Sequence, residues 1–348
     1  MHKQIKISLL WIAKVLGLFT LCRWFYRNKV RILCYHGFSY ADEHLFRPKL
    51  FMSPKTFSSR MSFLAKSPYT IVPLQEAIDN SKPNQLVITI DDGWSGTFQR
   101  VHSALEAYRF PIMLYVTSYY AEKQIPVINV SLSYLLWKTQ KKELHLSIPE
   151  LSFDQKWQLD SIDRPVFVIE LCAIIDQIQD LHKRKSILIE LSKQLEVSLT
   201  HDGKQLFRLL SISELKELQA VNVDLQLHTH RHCSPKDEHQ LLLELSDNKY
   251  WLSQLQESEF LKHFCFPSNE YHPQQISYLS EFGIKTAVTS NSGLYSRGDN
   301  LYLIPRILDG EDVSQIELEA ELCGFMTLVK SLFQTATKKT MLENKKTT

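Results

Sequence analysis

Short apolar runs alternate along most of this chain with stretches whose apolar residues recur every three or four positions. The runs fall at 31–36, 71–74, 86–90, 111–118, 264–267, 286–289 and 304–307. They are rich in β-branched and aromatic residues, and hydrophobicity that does not alternate marks strands buried on both faces. The helical stretches begin with 57–64, opened by Ser53-Pro54, and 95–108, with Val101, Leu105 and Tyr108 on one face. Further helices are predicted at 211–218, where Ser211 and Glu214 have capping-box spacing, from His239 to about Leu255, at 276–282 with Gly283 as the stop, and at 314–322. Strand and helix in alternation predict an α/β fold with a parallel sheet.

Two regions break the rhythm. From about 120 to 212, helical patterns at 166–179 and 183–195 carry interleaved Asp and Lys, as on solvated helix faces, and no recognisable chemistry. The region reads as a helical insertion. Residues 1–30 are basic and apolar, with no acidic residue before Asp42. The apolar run Ile7 to Cys22, interrupted by Lys14, is marginal against the roughly 20 apolar residues a membrane span needs. It lacks a small-residue cleavage site. The reading that fits is a helix on the cytoplasmic face of a membrane, held by apolar burial and anionic lipid. A single-span anchor and an ordinary helix packed on the domain are the alternatives. Residues 325–348 read as a basic tail.

Composition narrows this little. The 348 residues can form one large domain or two. A net charge of +2 gives no argument for nucleic-acid binding. The six cysteines form no close-spaced pairs, which suggests a reducing compartment. No glycine-rich phosphate loop is evident.

The chemistry lies at two strand ends. LVITIDDGW, 86–94, closes a buried run with Asp91 and Asp92. The C-terminal ends of strands are where α/β folds collect catalytic groups. Adjacent carboxylates oppose joint ionisation unless a cation sits beside them. A polar Asp-Gly turn is the plain alternative. DLQLHTHRHCSP, 224–235, places His228, His230 and His232 after another short run. An i, i+4 pair faces one ion if the segment coils into a helical turn, and neutral imidazole suits zinc. Cys233 adjoins the cluster as a ligand or a packed neighbour.

TIDDGW followed by HTHRH resembles the first two motifs of the polysaccharide deacetylases, carbohydrate esterase family 4 with its nodulation-deacetylase homology domain. ILCYH at 32–36, MSPKTF at 52–57, FPIMLYV at 110–116, FCFP at 264–267, GIKTAV at 283–288 and IPRI at 304–307 look like further family segments in order. The resemblance spans about residues 30–310. It implies a distorted (β/α) barrel over 31–324, interrupted by the insertion. It also implies a divalent metal, with zinc expected, on Asp92, His228 and His232, and Asp91 as general base. The reaction implied is removal of N-acetyl or O-acetyl groups from a polysaccharide or lipid-linked glycan.

The sequence departs from the family pattern at three points. The arginine that restrains the base is missing before Pro267, which leaves Arg306 and Arg231 as replacements. No Leu-x-Ile-His motif supplies the acid, which leaves His36 and His230 as candidates, with a structural role for His36 the alternative. Arg231 stands where a small hydroxyl residue is common. A glycan-binding pseudoenzyme and an amide hydrolase with a different substrate are the competing readings.

Overall fold

The computed structural model describes residues 2–80 and 82–333. Six of those buried runs and the short run before the histidines form seven strands: β1 (Arg31–Tyr35), β2 (Gln85–Ile90), β3 (Ile112–Val116), β4 (Val223–Leu227), β5 (His263–Cys265), β6 (Thr286–Ser292) and β7 (Ile304–Leu308). Each pairs in parallel with the next, and β7 returns to β1, so the sheet closes into a barrel. A short strand, Thr70–Ile71, pairs with the start of β2 from outside the ring. The seams differ in strength. β1 and β2 run in register from Arg31↔Leu86 to Tyr35↔Ile90, whereas β4 and β5 meet at Leu227↔Phe264.

Alternation along the strands separates two cores. Ile32, Val87, Tyr115, Cys265, Val288 and Ile304 belong to one cluster. Leu33, Ile88, Leu114, Leu225, Phe264 and Ile307 belong to another, which also holds residues of the surrounding helices such as Phe57, Leu105, Leu215 and Leu241. With a side-chain period of two, the first set faces the barrel interior and the second faces the helices. Arg306 keeps step with Ile304, and Asp91 with Val87, so both polar side chains come from the inward-facing set.

The 120–212 segment is not wholly helical. It holds the helices Ile128–Lys138, Arg164–Ile175 and Leu181–Gln194, but also an antiparallel hairpin of Glu143–Ile148 and Phe153–Gln158. The signal was present: Leu144, Leu146 and Ile148 alternate and are buried. The segment returns to the barrel at the Asp pair, where Leu210 N–H donates to Gly93 O (2.8 Å) and Ser95 N–H to Arg208 O (2.9 Å).

Residues 2–25 form two helices, His2–Val15 and Leu18–Phe25, bent by 76° at Gly17. No single helix among the described residues is long and apolar enough to cross a membrane. Leu10, Ala13, Phe19 and Cys22 are buried, and Lys6 and Lys14 pair with Glu317 (2.8 Å) and Glu319 (2.5 Å) of the helix Gln315–Leu322. Where a basic tail was expected, 325–333 continues as helix, with Phe325 against Phe19. The remainder of that tail, 334–348, lies outside the described residues.

Candidate metal and catalytic site

The Asp pair sits on a turn that sends its two side chains to different surroundings. Asp92 has φ 70° and Gly93 φ 84°. Aspartate tolerates the left-handed region better than most residues, and glycine adopts it freely. Thr117 N–H, just past β3, donates to Asp92 O (3.2 Å) and fixes the turn.

Asp91 faces inward. Arg306 donates from Nη1 to its Oδ1 (2.8 Å) and from Nη2 to its Oδ2 (2.7 Å), a two-point fork between fully buried groups. The fork is held in turn, since Arg306 Nε donates to Thr289 O (2.9 Å) and Nη1 to Thr89 Oγ1 (3.0 Å). Thiols of Cys34 (3.5 Å) and Cys265 (3.4 Å) also point at Asp91 Oδ2. Burial alone would raise the Asp91 pKa, but the Arg306 charge and hydrogen bonds outweigh it and hold the carboxyl well below the usual range. Of the two arginines considered as partners for Asp91, Arg306 therefore occupies that place. Arg231 instead pairs with Glu244 (2.7 Å), as does its own backbone N–H (2.7 Å).

Asp92 faces a pair of imidazoles. Its Oδ1 lies 3.1 Å from His228 Nε2 and 3.2 Å from His232 Nε2, while Trp94 Nε1–H donates to Oδ2 (2.7 Å). The three ligand atoms lie within 4.8 Å of one another. His228 Nδ1–H donates to Cys265 O (2.8 Å), which leaves the Nε2 lone pair directed at the carboxylate. The His228 Nε2 lone pair and Asp92 Oδ1 repel unless a proton or a cation sits between them. Burial lowers the His232 pKa, but Asp92, Asp91 and Glu270 together outweigh it and raise it. One carboxylate and two imidazoles, the first imidazole fixed by a carbonyl behind it, fit a zinc-type donor set.

Two other groups, Cys34 with His36 and Asp91, and Asp91 with His228 and Cys265, are also close enough to share an ion. Both use Asp91, whose two oxygens already face the Arg306 guanidinium. Burial pushes both thiols well up, so they stay protonated and bind metals poorly.

The histidine segment does not coil into a helical turn. Residues 228–235 form a loop in which Thr229 (φ 61°) and His232 (φ 56°) are left-handed, and this brings His232 back over His228, ring centres 4.9 Å apart. His36, just past β1, has Nε2 at 3.7 Å from Asp91 Oδ2 and is part-exposed. His230 is placed elsewhere. Its Nδ1 meets Ser118 Oγ (2.9 Å), its ring stands edge-on to Tyr119, and it lines a separate cavity with Asp247 and Trp251. It does not line the cleft over Asp92 and His232, so of the two candidate acids only His36 stands beside Asp91. Cys233 is exposed and outside the ligand groups.

The sequence did not disclose Asn248. From the helix Glu238–Leu252 it accepts from His228 N–H (3.0 Å) and donates to Val116 O and Ser118 Oγ (both 2.9 Å), joining the ends of β3 and β4. A cleft of about 510 Å³ opens over Asp92 and His232, lined also by Trp94, Tyr120, Leu209 and Arg231. Next to it lies an apolar groove of about 760 Å³ with Phe46, Trp137, Val168 and Ile169, and Arg47, Asn129, Cys172 and Asp176 border both spaces.

No family model matches the sequence, and no curated protein matches it. Solved structures do. The Streptococcus pyogenes deacetylase PplD, in complex with acetate, is 16% identical with a TM-score of 0.56, over 84% of this chain and 98% of that one. BC0361, a polysaccharide deacetylase from Bacillus cereus, is 15% identical with a TM-score of 0.51, over 84% and 69%. A de-N-acetylase from Aggregatibacter actinomycetemcomitans is 12% identical with a TM-score of 0.52, over 84% and 99%. The barrel, its strand order and these neighbours together give the chain the (β/α)-barrel fold of the polysaccharide deacetylases.

Proposed function

We propose that this protein is a metal-dependent deacetylase that hydrolyses N-acetyl or O-acetyl groups on a glycan. The observation that carries the reading is the division of the Asp pair. One carboxylate is locked to a buried guanidinium, and its neighbour is surrounded by two imidazoles with their nitrogens turned inward. A structural Asp-Gly turn needs neither arrangement.

Asp92, His228 and His232 would hold a divalent cation, which would supply Lewis acidity toward the acetyl carbonyl and a water. Asp91 accepts the proton of the attacking water. With Arg306 on it, Asp91 stays ionised and available but is a weak base, so it suits a water that is already acidified. Arg306 holds both Asp91 oxygens and so fixes the position of the carboxylate. His36, whose Nε2 lies 3.7 Å from Asp91 Oδ2, would protonate the leaving amine as the carbon–nitrogen bond breaks. The products are acetate and a free amine on the sugar.

Between a polysaccharide and a lipid-linked glycan, the groove beside the cleft favours the latter. Arg47, on its border, has no acidic partner among the described residues, while Asp176 is paired with Arg184 (2.9 Å). An apolar groove with an uncompensated cation at its mouth suits an apolar chain attached through an anionic group. The absence of a Leu-x-Ile-His acid supports the second reading, a protein that binds glycan without cleaving it.

Acetate release is the test. An N-acetylated oligosaccharide and its alkyl phosphate-linked counterpart should both release acetate with zinc bound, the second at lower KM. Chelation should abolish release from both. Release that survives chelation would contradict the reading, and binding of both glycans with no release would favour the second.

A further inference from the structure

We propose that the two N-terminal helices dock the protein on an anionic lipid surface, lying in its plane and not crossing it. Each helix has two faces. The inner ones, with Leu10 and Ala13 on the first helix and Phe19 and Cys22 on the second, are buried against the rest of the protein. The outer ones are as apolar as the inner. Ile5, Leu9 and Ile12 follow one another at three- and four-residue spacing on the first helix, Leu16 continues the row just past its end, and the four are 51–70% exposed. On the second helix Leu21 is 60% and Phe25 68% exposed, with Trp24 beside them at 62%. Monomeric soluble proteins scatter such residues singly, and a row of them on successive turns marks a surface that something covers.

Charge identifies the cover. Lys6 and Lys14 are neutralised by Glu317 and Glu319, and Arg31 is buried. Lys3, which meets only the backbone O of Asp312, and Arg27 and Lys29, beyond the end of the second helix, remain with no carboxylate partner among the described residues, while Arg23 packs over the Tyr69 ring. Arg27 and Lys29 lie over the rings of Trp24 (4.8 Å) and Tyr26 (5.5 Å). Apolar rows, an exposed tryptophan on each helix and unpaired cations beside them are the composition of an interfacial helix on anionic lipid. The 76° bend at Gly17 and the burial of the inner faces rule out a straight span in this conformation.

The experiment is vesicle flotation of the full chain with phosphatidylcholine alone and with added phosphatidylglycerol. The wild type should float with both, about tenfold more tightly on the anionic vesicles. Leu9→Glu with Leu21→Glu should lose flotation on both, and Arg27→Gln with Lys29→Gln should lose most of the preference for phosphatidylglycerol. All four residues lie outside the metal site, so thermal unfolding and metal content should match wild type, which separates this result from the catalytic reading. Wild type that stays unbound on anionic vesicles would overturn the proposal. So would a Leu9→Glu, Leu21→Glu protein that floats like wild type. Sedimentation showing a dimer that these same glutamates dissociate, with no flotation, would assign the face to a second copy of the chain instead.

Discussion

Asp91 and Asp92 differ by one position and share almost no partners. The two-point contact with Arg306 makes Asp91 a buried ion pair, whose members protect each other from an uncompensated charge in the core. Arg306→Leu should therefore cost about 3–5 kcal/mol of stability, because it strands a buried carboxylate. Adding Asp91→Leu should return much of that loss, although neither variant would deacetylate. Urea unfolding of the three proteins checks this, and additive losses would show that the pair is not coupled. The histidine spacing pointed to a metal, while the Asp pair alone read nearly as well as a polar turn, and the separate roles of Asp91, Asp92, His228 and His232 came from the family resemblance. Their supports were less legible. Arg306 was one of two candidates, and Asn248, Glu244 and the two thiols at Asp91 Oδ2 were not foreseen. Cys34 and Arg306 lie 57 and 215 positions from Asp91, and only the closing of the barrel brings them to it.

At the scale of elements, the buried runs read correctly as strands because parallel barrel strands are apolar on both faces. The histidine loop was misread, since i, i+4 spacing is equally compatible with a loop containing two left-handed residues. Two elements have consequences that can be measured. The helix Gly96–Tyr108 begins against the segment after β1, and a Cβ on Gly96 would fall 2.0 Å from Phe38 O. Gly96→Ala must move backbone, so it should destabilise by about 1–3 kcal/mol or more, as overpacking does. Gly203→Ala, where a Cβ meets nothing within 4 Å, should cost only the strain of its positive φ. At the start of β5, burial and Lys262 press the His263 pKa down to about 4, and its Nδ1 meets Thr286 Oγ1 at 2.7 Å. The unfolded chain, with the histidine near its ordinary value of about 6.5, takes up a proton first as pH falls. The neutral buried ring therefore contributes stability that is complete above about pH 6.5 and lost down to about pH 4, on the order of 3 kcal/mol. Urea unfolding at pH 7 and pH 4.5 should show that loss in wild type and a smaller one in His263→Gln.

For the whole molecule, the closed barrel sets the site and the additions set its surroundings. The insertion supplies the groove and Leu209, and the N-terminal helices supply an apolar outer face remote from the Asp pair in sequence. The sequence marked both additions as departures from the barrel rhythm, but it did not show that one apolar stripe of the N-terminal segment is packed and the other is free. A cation bound by the folded site and not by the unfolded chain must stabilise the whole. Zinc at a hundred times its dissociation constant should add about 2.7 kcal/mol, seen as a rise in Tm that chelator reverses and His228→Gln abolishes.

If Asp92 and the two histidines hold the ion while Asp91 handles the proton, one comparison separates the two roles. Metal content and acetate release are measured on the same preparations of wild type and Asp91→Asn. The account predicts one equivalent of metal in both, and acetate release that falls by about 10²–10⁴-fold in the variant, the usual worth of a positioned acid or base. Loss of the metal from Asp91→Asn, or undiminished release with the metal in place, would contradict it.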